Sequence, residues 1–570
     1  MIVEELKKIT GKVLNNLGVE TPEVVFEHPA ELAYGDYSTN VALRYAKELK
    51  KKPRELAEEI VGKLEARSAK LEKIEKIEVG GAGFINFYLS KEFFSESIRK
   101  IQTEGESFGK NKTLDGKKVM VEYTDPNPFK EFHIGHLMSN AIGESIARIT
   151  EFQGAEVKRA CYQGDVGLHV AKAVWGVSQT NNQQPTTDNG KSIRMWGESY
   201  ARGSERYEID EEVKKEIDEL NKKIFDKSNE EVNTLYESGR RVSLEYFEEI
   251  YKKLGTKFAY YFFESETGAF GKQVVEEFLD KGVFEKSQGA IIFPGEKHGL
   301  HTRVFINSQG LPTYEAKELG LAKIKYDKYN YDQSVVITGN EINDYFRVLL
   351  CALNLVFPEL AKKTKHLSHG MLRLPTGKMS SRTGCVITGE AIISAVEAMV
   401  HKKIEDREME IFEKNKVAEA VAVGAIKYSI LRQAIGGDII FDFDKSISFE
   451  GDSGPYLQYS LVRAKSVLNK VKEAHIEPFV GVKLLQIPTI LERLLYRFPE
   501  IVARASAEYE PHYITTYLTQ LAGAFNSWYA KNQIIGSGEA EPYRLALTSS
   551  FATVMKNGLY LLGIPVPSTM

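Results

Sequence analysis

The sequence predicts a multidomain α/β protein, and three features along its 570 residues carry that prediction. Residues 1 to about 110 mix helical periodicity with one strand-like segment. A βαβ pattern opens near residue 119, gives way to a polar and charged stretch over about 178–255, and then resumes. From about 390 onward nearly everything repeats at helical spacing. The length points the same way, because a single core stops growing near ~250–300 residues.

The N-terminal module reads as α+β. Helical periodicity runs through VALRYAKELKKKPRELAEEI, with Pro53 opening a helix at its first turn, where its missing N–H costs nothing. FINFYL at 84–89 follows a Gly-rich break and alternates like a strand. In the next region the apolar strand VMVEY stops at the proline-bracketed turn TDPNP. A helix begins near His136 and ends at Gly154, and AEVKRACYQGD reads as the next parallel strand. SQTNNQQPTTDNG and the charged helices after it form an insertion between two halves of this α/β domain. The sheet is expected to resume with AIIFP, TRVFI and SVVITG. Expected boundaries are 1–110, 111–390 with the 178–255 insertion, and 391–570.

Composition narrows the class without naming a function. Hydrophobic residues at 42% and charged residues at 27% are ordinary for a soluble globular protein, and no run approaches the ~18 apolar residues of a membrane span. The N-terminus lacks the apolar stretch of a secretory leader and is too acidic for a transit peptide. Cys161, Cys351 and Cys385 are far apart, which suits a reducing cytoplasm and argues against disulfides or a zinc site. A net charge of −4 means that any polyanion must be bound by local basic patches.

Two strings carry chemistry. HIGH at 133–136 sits where the turn meets the helix, a place that offers unpaired backbone N–H groups and a positive dipole end to phosphate oxygens. His133 and His136, three apart, project to one face, and Gly135 lets a nucleobase or ribose approach the backbone. GKMSSRTG at 377–384 is a flexible loop carrying Lys378, able to neutralise a leaving pyrophosphate. Either string alone is more often a surface feature; together, in this order and context, they are not.

The pair resembles the class I aminoacyl-tRNA synthetases, and within them the arginyl-tRNA synthetase family. AYGDYSTNVALRYAKEL, VEYTDPNPFKEFHIGH, GLPTYEAKELGLAK, SGPYLQYSLVRAKSVL and LLGIPVPSTM extend that resemblance over essentially the whole chain. It implies a Rossmann-like catalytic domain, a small additional tRNA-binding domain before it and a helical anticodon-binding domain after it. It further implies arginine–tRNA ligase activity, with ATP and L-arginine as substrates, Mg2+ accompanying ATP, and tRNA(Arg) as partner. A cytoplasmic monomer without membrane attachment is expected.

Carried over residue by residue, the resemblance assigns His133, His136 and Lys378 to catalysis. Gly135, His369, Gly370, Met371 and Ser381 fall to ATP, and Glu122, Asn127, Glu264, Tyr314 and Glu318 to arginine. Tyr456, Tyr459 and Arg463 are tRNA candidates on one helix. A guanidinium presents five donors in a rigid fork, so carboxylates are its natural partners, and Glu264 and Glu318 are expected to be ionised. Two positions depart from the family pattern: Glu318 stands where Asp is common, and Ile342 where a substrate-contacting glutamine is expected. A class I enzyme for cysteine is disfavoured by the lack of zinc spacing. A non-catalytic tRNA-binding protein is disfavoured because it has no chemical reason to keep both motifs.

Overall fold

A computed structural model describes residues 1–68, 72–180, 189–373, 388–473 and 488–570. It divides into two compact units. One comprises Met1–Lys110, Tyr459–Arg504 and Thr516–Gly558; the other comprises Asn111–Gln458, Ala505–Thr515 and Leu559–Met570.

The second unit is organised by a five-stranded parallel sheet. In sequence order its strands are Lys118–Glu122, Glu156–Gln163, Tyr260–Phe263, Gln333–Gly339 and Thr364–His369. In space the fifth lies beside the fourth, the fourth beside the first, then come the second and the third. Strand order therefore reverses between Lys118–Glu122 and Gln333–Gly339, and ligands of such sheets bind beyond the strand C-termini at that reversal. Strands covered on both faces read as continuous apolar runs, as the buried Val119–Val121 and Val335–Ile337 do.

Of the strands expected to resume this sheet, only SVVITG does so. Ala290–Phe293 and Arg303–Ile306 instead pair antiparallel, with Glu285–Ser287, in a separate three-stranded sheet. Their side chains Phe293 and Phe305 bury against Phe284 in a cluster that also takes in Val336, Phe346 and Leu349, so the apolar pattern serves that core from a different sheet. Between the second and third strands stand the helices Leu168–Ser178, Asn189–Ile209, Glu211–Asp226 and Glu230–Leu254.

In the first unit the antiparallel strands Tyr37–Thr39, Phe84–Leu89 and Ile74–Gly80 form a small sheet, and Pro53 heads the helix Pro53–Ser68. Buried Asp36 accepts from the Leu89 N–H at 2.9 Å and from Arg493 Nε at 2.8 Å, which joins this sheet to the helix Ile490–Glu508. Among the described residues no helix is long and apolar enough to cross a membrane.

Candidate active site

Among the described residues, Glu122 and His369 end parallel strands, and Glu264 directly follows the strand Tyr260–Phe263. The turn after Lys118–Glu122 is strained: Thr124, Asp125 and Phe129 have φ of 81°, 45° and 68°. Such backbone costs of order 1–3 kcal/mol per residue and persists only where its surroundings impose it. Asn140 Nδ2 donates to Thr124 Oγ1 at 3.1 Å, the Tyr162 N–H to Asp125 Oδ1 at 2.7 Å, and the Phe129 N–H to Ser243 Oγ at 2.8 Å.

This turn delivers His133 to the N-cap of the helix Ile134–Phe152. The Gly135 N–H donates to His133 Nδ1 at 3.1 Å, and the His133 N–H donates to His136 Nδ1 at 3.2 Å. The two rings stack with centroids 3.5 Å apart. Burial and the nearby Lys130 lower His133 to about 4. Burial, then His133 and Lys130, hold His136 well below its ordinary value. Both imidazoles are therefore neutral at pH 7. With each Nδ1 accepting a backbone N–H, the proton sits on Nε2, so each ring presents one fixed N–H donor.

Two sequence expectations change here. The first-turn N–H groups of Gly135 and His136 are not free: one bonds to His133 Nδ1 and the other to the His133 carbonyl at 3.0 Å. The room left by Gly135 is filled by the His133 ring, because an added Cβ would stand 3.0 Å from its Cε1. The motif thus offers imidazole donors and a helix dipole, with no row of vacant amides.

Beside this lies a pocket of carboxylates. Glu122 ends its strand with Oε2 accepting from Lys325 Nζ at 2.7 Å, both groups buried. Glu264 opens the helix Glu264–Asp280 and accepts from Lys317 Nζ at 2.5 Å. Asn127 Oδ1 and Glu264 Oε1 converge on Gly164, where an added Cβ would collide with the first and lie 3.2 Å from the second. Tyr314 heads the helix Tyr314–Lys328; its exposed ring lies under Lys317 Nζ, 5.1 Å from the centroid. Glu318 is half-buried one turn on, so it is no solvent-facing helix residue. Burial, then Glu122, push its carboxyl up to about 8, and burial also raises Glu264. The expectation of two ionised glutamates fails for Glu318 at pH 7. Desolvation without a cation of its own favours the protonated form.

His369, at the end of its strand, is buried with Nε2 2.7 Å from Ser139 Oγ and Nδ1 2.7 Å from the Gly370 carbonyl. Gly370 packs against the Gly437 backbone too closely for any Cβ. The Met371 N–H donates to Asp438 Oδ1 at 2.8 Å while its side chain stays exposed. Lys378 and Ser381 lie outside the described residues. The chain that follows them is anchored at the site: Thr388 bridges to His133, and the Gly389 N–H donates to the Phe132 carbonyl at 2.7 Å. Ile342 turns toward the core of Val336, Phe346 and Leu349, so its apolar side chain packs inward and Glu341 stays exposed.

Comparison with known proteins decides the family. Residues 97–443 match the family model for the catalytic domain of class I (R) tRNA synthetases, 1–89 the arginyl tRNA synthetase N-terminal domain, and 457–570 the DALR anticodon-binding domain. The chain belongs to the class I arginyl-tRNA synthetase family. Among relatives, it is 30% identical over 573 residues to the arginine–tRNA ligase of Halothermothrix orenii, covering 100% of this chain and 99% of that one. It is 32% identical over 587 residues to that of Treponema denticola, covering 99% of each. Its fold matches the Thermus thermophilus arginyl-tRNA synthetase with a TM-score of 0.81 at 24% identity, covering 100% of both chains. The Plasmodium falciparum enzyme matches at 0.79 and 20% identity, covering 100% of this chain and 99% of that one.

In this member of the family Tyr456, Tyr459 and Arg463 do share the helix Gly454–Glu473. Arg463 donates to Asn526 Oδ1 at 2.8 Å and to the Tyr459 hydroxyl at 3.1 Å, and lies over the Tyr459 ring at 4.7 Å. Tyr456 is half-buried, its N–H bonded to Ser453 Oγ at 3.1 Å. Sequence reasoning missed the cations of the carboxylate pocket, Lys317 and Lys325. Their signal was lysine at 317 and 325 among the apolar positions of GLPTYEAKELGLAKIK, on a helix whose neighbours Ala316, Leu319 and Leu321 are fully buried. It also missed Asp165, fully buried, which accepts from Ser265 N and Oγ at 2.9 and 2.7 Å and from Arg240 Nε at 2.8 Å. Asp165 thereby fixes the helix start that presents Glu264.

Proposed function

We propose that this site activates L-arginine with ATP and hands the arginyl group to the terminal adenosine of tRNA(Arg), the activity of an arginine–tRNA ligase. The observation that carries the chemistry is the pair of neutral imidazoles locked as Nε2–H donors at a helix N-terminus, beside a buried carboxylate pocket at the strand-order reversal.

A carboxylate is already nucleophilic at neutral pH, so its attack on the α-phosphate needs no general base. Catalysis is positioning and charge stabilisation. His133 and His136 hold N–H donors toward the phosphoryl oxygens without bringing positive charge of their own, and the Lys378 loop supplies that charge. Gly135, His369, Gly370, Met371 and Ser381 serve the nucleotide, and Mg2+ enters with ATP as its counter-ion. Asn127 with Glu122 orients the amino-acid end of arginine, while Glu264, Tyr314 and Glu318 surround its guanidinium. Fold and family support these roles.

Residues 1–110 and 391–570 are assigned to tRNA binding, with 111–390 performing the chemistry. Tyr456, Tyr459 and Arg463 are offered to tRNA for stacking and phosphate contact. The enzyme is assigned to the cytoplasm, as three scattered cysteines suit a reducing compartment, and is taken as a monomer. Pyrophosphate exchange over the twenty amino acids, with and without tRNA, tests the assignment. Exchange with arginine alone, dependent on tRNA, is expected; exchange driven by another amino acid would overturn it.

A further inference from the structure

The carboxylates of the pocket are not equivalent once their cations are assigned. Glu264 has Lys317 at 2.5 Å, Glu122 has Lys325 at 2.7 Å, and Glu315 has Arg303 at 3.3 Å. Asp125 accepts the Tyr162 N–H at 2.7 Å. Glu318 makes no hydrogen bond or ion pair with any described residue. Around it stand Glu122 from the first strand, Asp125 from the turn after it, Tyr162 from the second strand and Glu264 from the helix after the third. Glu315 and Lys325 face it from its own helix, and Tyr345 from the helix Asn343–Val356.

Resting on the assignment of this pocket to the arginine side chain, we propose that Lys317 and Lys325 are built-in counter-ions that leave Glu318 as the vacant partner for a guanidinium, and that arginine binds with release of a proton from Glu318. The balance is simple: the Glu318 carboxyl loses its O–H proton to solvent, and the carboxylate formed pairs with the incoming cation. The cation must be present for the ionisation to be favourable in a buried setting. Citrulline, neutral at the same position, cannot drive that step. The two lysines therefore act as specificity residues without touching the reacting atoms. They neutralise the carboxylates that a second positive charge would otherwise seek.

Burial and Glu122 push Glu318 up to about 8 in the free protein, so at pH 7 its carboxyl is mostly protonated. A group whose proton leaves on binding makes affinity rise with pH up to its free-state value. Titration calorimetry of the full chain with L-arginine, in phosphate and in Tris at pH 7, reads the protons released. Proton release clearly above zero per arginine is expected, with affinity rising from pH 6 to pH 8. Glu318→Gln should bind arginine more weakly with release near zero. Lys317→Met, which strips Glu264 of its cation, should release more protons than the parent.

The outcomes separate cleanly. Weakened binding in Glu318→Gln with no release in the parent would sink the proton coupling and leave the arginine pocket standing. Unchanged affinity in Glu318→Gln would remove the pocket assignment itself. Release that persists in Glu318→Gln, or that fails to increase in Lys317→Met, would overturn the counter-ion scheme.

Discussion

At the start of the Ile134–Phe152 helix two imidazoles stand neutral, each fixed by a backbone N–H within three residues of itself. A short distance away, the pocket of Glu122, Glu264 and Glu318 is built from charges whose partners lie as far as 203 residues along the chain. In the first region neutral N–H donors are buried at modest cost once each ring is held. The second holds carboxylates out of water, and isolated buried charge is expensive, so lysines from a distant helix stand in. One end is prepared by local hydrogen bonding and the other by tertiary charge balance. The predictions that follow try to break that contrast.

The largest effect is expected from Lys325→Met, which leaves Glu122 buried without its cation. Removing one member of such a pair costs about 3–5 kcal/mol, measurable by chemical denaturation. The Glu122→Gln/Lys325→Met double variant should recover much of that loss. If the single variant is as stable as the parent, the pocket does not depend on internal counter-ions and the contrast disappears.

His136→Ala comes next. It deletes a donor and the capping interaction with the His133 N–H. A fall of ~100-fold in kcat, about 3 kcal/mol, is expected with arginine affinity little changed, and Lys378→Ala should behave alike. An unaltered kcat with a raised KM for ATP would mean that the motif serves ground-state binding alone.

Glu318→Gln should lower arginine affinity by about 1–3 kcal/mol at pH 7, less than a fully ionised partner would, because part of the pairing energy goes to ionising the carboxyl. The preference for arginine over citrulline should narrow with it, and Glu318→Asp should be milder. An unmoved ratio of the two kcat/KM values would place the guanidinium elsewhere.

The smallest effect is assigned to Gly135→Ala. The new methyl would meet His133 Cε1 at 3.0 Å and Nδ1 at 3.1 Å, tight enough to displace the ring by a few tenths of an ångström. About 1 kcal/mol, or ~5-fold in rate, follows if the tautomer-fixing contact sets the donor. Full activity would show that the ring's position is held by its stacking on His136 and not by the room Gly135 provides.

Much of this was legible in the residues. HIGH between a proline-bracketed turn and an apolar helix marked where the helix Ile134–Phe152 starts, because such a start is set by neighbours in sequence. Pro53, Gly154 and the strand FINFYL likewise follow from backbone preferences that each residue carries with it. AIIFP and TRVFI were strands as read, but which sheet they join depends on pairing with distant partners, and periodicity is the same in either.

The sequence by itself determined the family and most element types, and it named the carboxylates proposed for the pocket. The tertiary structure alone decided which of them meets a cation. Glu122, Glu264 and Glu318 are the same residue type, and nothing in the local sequence separates a glutamate paired with a buried lysine from one left without a cation. Ionisation depends on burial and on charges brought near through space, and both are set only when the chain has closed around them.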